Sequence, residues 1–150
     1  MYIILEIDNV ISDDSWRADK IKKEKLMPSG KFHEYNMLCG FDVPGNEWLF
    51  DNDHEVVVLT SRPRFYVEPT KQWLLNANIS PACLIMREDN DHSSSLQLRK
   101  KQLFNFSETM KATADQIVGA YDSQQEIVDM YSDSGIPSYL VSIHSHLSLC

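Results

Sequence analysis

Two short apolar runs constrain this chain most. Residues 55–59 read Glu-Val-Val-Val-Leu, and residues 2–8 read Tyr-Ile-Ile-Leu-Glu-Ile-Asp. Neither shows the strict apolar–polar alternation of a strand with one wet face. Continuous runs of this length, rich in β-branched residues, suit strands covered on both sides, as in parallel sheets. Segments of similar character recur at Gln116–Ala120 and Ser138–Ile143, with a shorter apolar piece at Ala82–Met86. Helical patterns separate them. Glu68–Asn76 carries Trp73 and Leu74 at core spacing, with Pro69 suited to a first turn. Leu96–Phe104 is amphipathic, and Ser123–Ser134 sets Ile127, Met130 and Tyr131 on one face before Gly135, a good helix terminator. Strands alternating with helices predict an α/β fold with a doubly wound, mainly parallel sheet.

Residues 11–50 depart from this alternation. They mix Pro, Gly and polar residues with scattered aromatics, among them Trp16, Tyr35 and Trp48. They predict a small, mainly helical and loop insertion after the first strand, near the mouth of any site at the sheet edge. A length of 150 residues, with no repeat or linker, predicts a single domain over 1–150.

The first strand ends on Glu6 and Asp8, one residue apart. Open α/β sheets place their sites at the carboxyl edge. Two carboxylates there can hold a divalent cation, or act as nucleophile and acid–base pair on a phosphate. After the second strand come Thr60, Ser61 and Arg62. A hydroxyl followed by backbone N–H groups suits a phosphate oxygen, and a guanidinium adds a bidentate grip. The same residues also read as a turn with a helix cap. Asp122 follows the third strand and reads equally as a third cation ligand or as an N-cap. Arg87 and the run Arg99-Lys100-Lys101 offer cations to balance a phosphate, or a solvated helix face.

Composition excludes several classes. The formal net charge is −8, and no Lys/Arg-dense stripe supplies the footprint of a dedicated duplex-DNA binder. Cys39, Cys83 and Cys150 form no CxxC pair, which argues against a zinc knuckle and for reduced thiols. The early charge at Glu6 does not suit a signal peptide, and no apolar run approaches membrane-spanning length. A cytoplasmic protein is expected, in the host cytoplasm if the chain is viral.

The order of these elements resembles the haloacid dehalogenase superfamily of phosphohydrolases. It is most similar to small phage-type members related to the phosphatase domain of polynucleotide kinase. The segments that carry the resemblance are Ile4–Asp14, Val56–Pro63, Leu84-Ile85-Met86-Arg87, and Ala120–Tyr131 followed by Gly135-Ile136-Pro137. The resemblance implies a Rossmann-like sheet and a Mg2+-dependent phosphatase acting on a nucleotide or a nucleic-acid terminal phosphate. It puts Glu6 at the nucleophile position and Asp8 at the general acid/base. Thr60, Ser61 and Arg62 fall on the phosphate-binding segment, and Arg99, or Lys100 on a one-residue shift, on the phosphate-facing cation. Glu6, Asp8 and Asp122 become the Mg2+ ligands. Arg17 and Arg87 become the candidate substrate contacts.

The chain departs from the family pattern Asp-x-Asp-Gly-Thr, reading Glu6-Ile7-Asp8-Asn9-Val10. The second acid of the last motif is Ser123, and the family Lys falls on an Arg, which is not an equivalent point charge. A Glu nucleophile displaces the attacking oxygen by roughly a bond length, and a misplacement of about 1 Å can cost on the order of a hundredfold in rate. Two functions from different classes follow: a phosphatase with weak turnover, or a catalytically impaired protein that binds a phosphorylated ligand or a protein partner.

Overall fold

The computed structural model describes residues 1–15 and 38–143. These form a five-stranded sheet in the order β5-β4-β1-β6-β7, with every pairing parallel. The strands are β1 (Tyr2–Leu5), β4 (Glu55–Pro63), β5 (Cys83–Arg87), β6 (Ile117–Asp122) and β7 (Ser138–Leu140). Two short strands, β2 (Ser12–Asp13) and β3 (Val43–Pro44), pair antiparallel as a separate ribbon. Crossover helices are α1 (Val67–Asn76), α2 (Ser95–Met110) and α3 (Gln125–Asp133).

Strand periodicity divides the core in two. Ile3, Leu5, Val56 and Val58 belong to one buried cluster, which α1 completes with Trp73 and Leu74. Ile4, Val57 and Leu59 belong to the other, against Phe106 of α2 and Ile127, Met130 and Tyr131 of α3. Successive residues of a strand point to opposite faces, so an unbroken apolar run serves both layers. This is the doubly wound, mainly parallel α/β fold expected from the sequence. With β1 central, β4 and β6 flank it on either side. The carboxyl ends of these three strands meet at the crevice where such sheets carry their sites.

Three boundaries differ from expectation in ways that shape the site. β4 continues to Pro63, with a register shift between Leu59 and Pro63, so Thr60, Ser61 and Arg62 lie within the strand rather than in a turn after it. β6 ends on Asp122 and begins after a 3₁₀ turn that absorbs Gln116. α2 runs six residues past the expected end at Phe104, because Phe106 still packs in the core and Lys111 closes the helix in the left-handed conformation. The described parts of the 11–50 segment hold the β2–β3 ribbon and 3₁₀ turns at Leu38–Phe41 and Glu47–Leu49.

Candidate active site at the carboxyl edge

Glu6 continues β1 by one residue; its backbone N–H donates to the Tyr121 carbonyl across a 3.4 Å N···O distance. Its side chain is buried between three elements. Oε1 accepts from the Ile7 N–H at 2.7 Å, and Oε2 accepts from the Ser61 N–H at 3.0 Å and from the Arg99 guanidinium. Asp8 stands at the mouth, with 38% of its side chain exposed. Between Asp8 and the core the chain turns sharply at Asn9, whose φ of 66° lies in the left-handed region. Asn tolerates that region better than most residues, which accounts for Asn where the family has Gly. Val10 is fully buried, so the position that lacks the family hydroxyl is a core position here.

Two guanidiniums organise the acids. Arg62 grips Asp8 bidentately, Nε to Oδ2 at 2.9 Å and Nη2 to Oδ1 at 2.8 Å. Its other contacts are Thr70 Oγ1 at 3.2 Å and Asp42 Oδ2 at 3.5 Å. Burial works to lower the Arg62 pKa, but the neighbouring Asp8 charge overrides it and the net shift is upward. Arg99 has no exposed surface. Its Nη2 contacts Glu6 and donates to Ser61 Oγ at 3.1 Å, its Nη1 donates to Gln102 Oε1 at 2.5 Å, and its Nε lies 3.5 Å from Asp122 Oδ2. Burial again opposes the charge, and Glu6 leads the groups that drive its pKa up. Asp122 is pushed up to about 6, chiefly by burial and then by the charge of Glu6. Its Oδ1 accepts from the Gln124 N–H at 3.1 Å in the turn before α3, whose N-cap is Gln124 and not Asp122.

The structure therefore brings Glu6, Asp8, Ser61, Arg62, Arg99 and Asp122 to one edge. Thr60 lies beneath it with no exposed surface, and its hydroxyl accepts from the Arg62 N–H at 3.2 Å. Lys100 is also placed elsewhere. One helical step rotates a side chain by about 100°, and Lys100 lines a shallow groove with Glu126, Asp129 and Asp133. Arg87 directs its donors at backbone carbonyls, Ser61 at 3.2 Å, Asp91 at 3.0 Å and Ser93 at 2.9 Å. Arg17 lies outside the described residues.

Sequence reasoning missed Asp42 and Gln102. Gln102 holds Arg99 from behind, while its Nε2 donates to the Thr60 carbonyl at 2.8 Å. Its spacing from Leu98, Arg99 and Phe106 puts it on the buried stripe of α2, a signal present in the sequence. Asp42 is buried, supports Arg62, and offers its carbonyl to Trp73 Nε1 at 2.7 Å. Nothing local marks it.

The donor set suits the expected Mg2+ poorly. Mg2+ demands an octahedron of oxygens. Among the described residues, no trio of His, Cys, Asp or Glu is grouped to hold a metal ion. Of the carboxylate oxygens of Glu6, Asp8 and Asp122, only Asp122 Oδ2 accepts no hydrogen bond, and it faces Arg99 Nε, itself without one.

With this geometry established, the fold can be placed. The chain has a haloacid dehalogenase-like fold resembling the phosphatase domain of polynucleotide kinase, as its motifs imply. It is similar to a chain in the structure of the Pnkp1/Rnl/Hen1 RNA repair complex, with a TM-score of 0.66, 21% identity, and coverage of 93% of this chain and 42% of that one. A second Pnkp1/Rnl/Hen1 structure gives 0.64 and 20% identity, covering 93% and 45%. This chain thus spans less than half of the repair-complex chains it matches. A hydrolase from Streptococcus pneumoniae TIGR4 aligns with a TM-score of 0.60 at 6% identity, over 99% of this chain and 96% of that one. The chain matches no protein-family model and no curated protein. Among the described residues, no helix is long and apolar enough to cross a membrane.

Proposed function

We propose that this protein acts on a phosphate monoester carried by a nucleotide or a nucleic-acid end, as a slow phosphatase of the cytoplasm. The observation that carries this reading is the half-exposed Asp8, gripped by buried Arg62 beside Glu6 at the carboxyl edge. A phosphate dianion competes with Asp8 for the Arg62 fork, since guanidinium matches either group bidentately. Asp8, once released, is placed to take a proton. In the reaction a Glu6 oxygen attacks phosphorus, the ester P–O bond breaks, and protonated Asp8 delivers its proton to the leaving oxygen. Asp8 as carboxylate then takes a proton from water, whose oxygen attacks the same phosphorus. The Glu6–phosphate bond breaks, inorganic phosphate leaves, and Glu6 is restored. Arg99 beside Glu6 favours the negative charge that develops there.

Residues 11–50, Arg17 among them, are assigned to ligand choice within a single domain over 1–150, since insertions between a strand and the next element commonly have that role. Similarity to chains of an RNA repair complex supports a nucleic-acid end as substrate class and leaves room for a protein partner. A second reading, phosphate-ester binding without turnover, draws on Glu6, whose two oxygens are both already engaged.

The test compares wild type with Glu6→Asp and Asp8→Asn. Substrates are a generic phosphate ester, dNMPs and a 3′-phosphorylated oligonucleotide, each with and without Mg2+. Turnover abolished by Asp8→Asn supports the phosphatase. Turnover that appears only in Glu6→Asp supports the binding protein. Neither turnover nor binding of any phosphate ester overturns both.

A further inference from the structure

We propose that Arg99 is the resident cation of this site and occupies the electrostatic role that the resemblance gives to a divalent metal. The inference rests on the reading above only for which edge is the site.

Four directions fix the guanidinium. Glu6 and Ser61 Oγ hold Nη2, Gln102 Oε1 holds Nη1, and Asp122 faces Nε. Gln102 cannot drift, because its amide donates to the Thr60 carbonyl at 2.8 Å and the Ile85 carbonyl at 3.4 Å. Leu98 and Phe106 seat the same face of α2 in the fold. One always-charged group therefore bridges the carboxylates of β1 and β6, the two elements expected to share a metal.

Metal entry meets two obstacles. Glu6 Oε2 already accepts two N–H groups, which fills its lone-pair directions. The carboxylate oxygen without a hydrogen bond, Asp122 Oδ2, lies 3.5 Å from Arg99 Nε. A dication bound to it would stand close to a buried positive charge, and in a buried site that repulsion is weakly screened. The Arg99 side chain would have to leave before the carboxylates could serve a metal. It has no exposed surface.

Phosphate binding at this edge then needs no added metal. The assignment is tested by calorimetric titration of the intact protein with MgCl2 and MnCl2, beside Arg99→Met and Arg99→Lys, and of wild type with inorganic phosphate in EDTA. The expected result is no saturable metal binding by wild type at millimolar concentration. In Arg99→Met, metal binding should tighten by roughly tenfold or more once the buried charge is gone. Phosphate binding by wild type should be unchanged by EDTA. Saturable one-to-one Mg2+ binding by wild type, lost in Glu6→Gln, overturns the assignment, and that measurement stands even if Arg99→Met does not fold. Absence of turnover, by contrast, would remove the phosphatase reading and leave these titrations unaffected.

Discussion

Replacing Arg99 by Met should destabilise this protein more than any surface change. Met keeps much of the apolar stem and deletes the guanidinium. Arg99 is fully buried and faces Glu6, whose side chain is 8% exposed, and Asp122, whose side chain is 1% exposed. Deleting one partner of a buried ion pair costs about 3–5 kcal/mol, because the remaining charge is left without compensation. Here two carboxylates lose the same partner, and Gln102 Oε1 loses its donor at 2.5 Å. For a chain of 150 residues, such a loss lowers Tm by roughly 6–20 °C, at 2–4 °C for each kcal/mol. Urea denaturation followed by circular dichroism gives the free energy directly, provided the slope with urea is unchanged. Pairing the change with Glu6→Gln separates charge from shape. The double variant should cost at least about 1 kcal/mol less than the sum of the single variants, since the uncompensated acid is gone. A cost for Arg99→Met below about 1 kcal/mol, or strict additivity with Glu6→Gln, would refute the view of Arg99 as the counterion of this edge.

Asp122 should tie stability to pH. Its carboxyl is held near 6 when folded against an ordinary 3.8, so between those values the folded state binds the extra proton. Stability should therefore fall as pH rises from about 4 through about 6, by an amount on the order of 3 kcal/mol. Asp122→Asn should remove that slope; urea midpoints from pH 4 to 7 check it, and an identical slope in the variant would contradict the assignment. Arg62→Lys should lose the two-point grip on Asp8 and the contact with Thr70, lowering stability by about 1.5–3 kcal/mol in the same assay. At Asn9, substitution by Gly should be nearly neutral. Asn9→Ala should cost about 1–2 kcal/mol, because φ is 66° there and a β-carbon is disfavoured. Equal costs for the two would argue against the left-handed turn.

The layers were legible because burial leaves a plain record. Val56 to Leu59 must serve two cores at once, and only an unbroken apolar run does so. The end of β4 was not legible. Thr60, Ser61 and Arg62 are polar by composition and read as a turn, yet pairing with β5 carries the strand to Pro63. The helix ends blurred for a similar reason, since Leu96–Phe104 holds the amphipathic signal while Phe106 extends it in space. Asp42 was beyond local reasoning, since it meets Arg62 from twenty residues away through an insertion with no regular period.

By itself, the sequence determined an α/β chain whose strand ends carry Glu6, Asp8 and Asp122, because the apolar runs and the acids that close them are local properties. Only the tertiary structure decided what those acids face. It settled that Arg99 rather than Lys100 lies beside Glu6, since the stripe of α2 that packs on the sheet includes one and excludes the other. It also set Arg62 on Asp8 and Arg99 between Glu6 and Asp122. Ion pairs across 54 and 93 residues depend on how the strands are ordered, and no spacing along the chain encodes that distance.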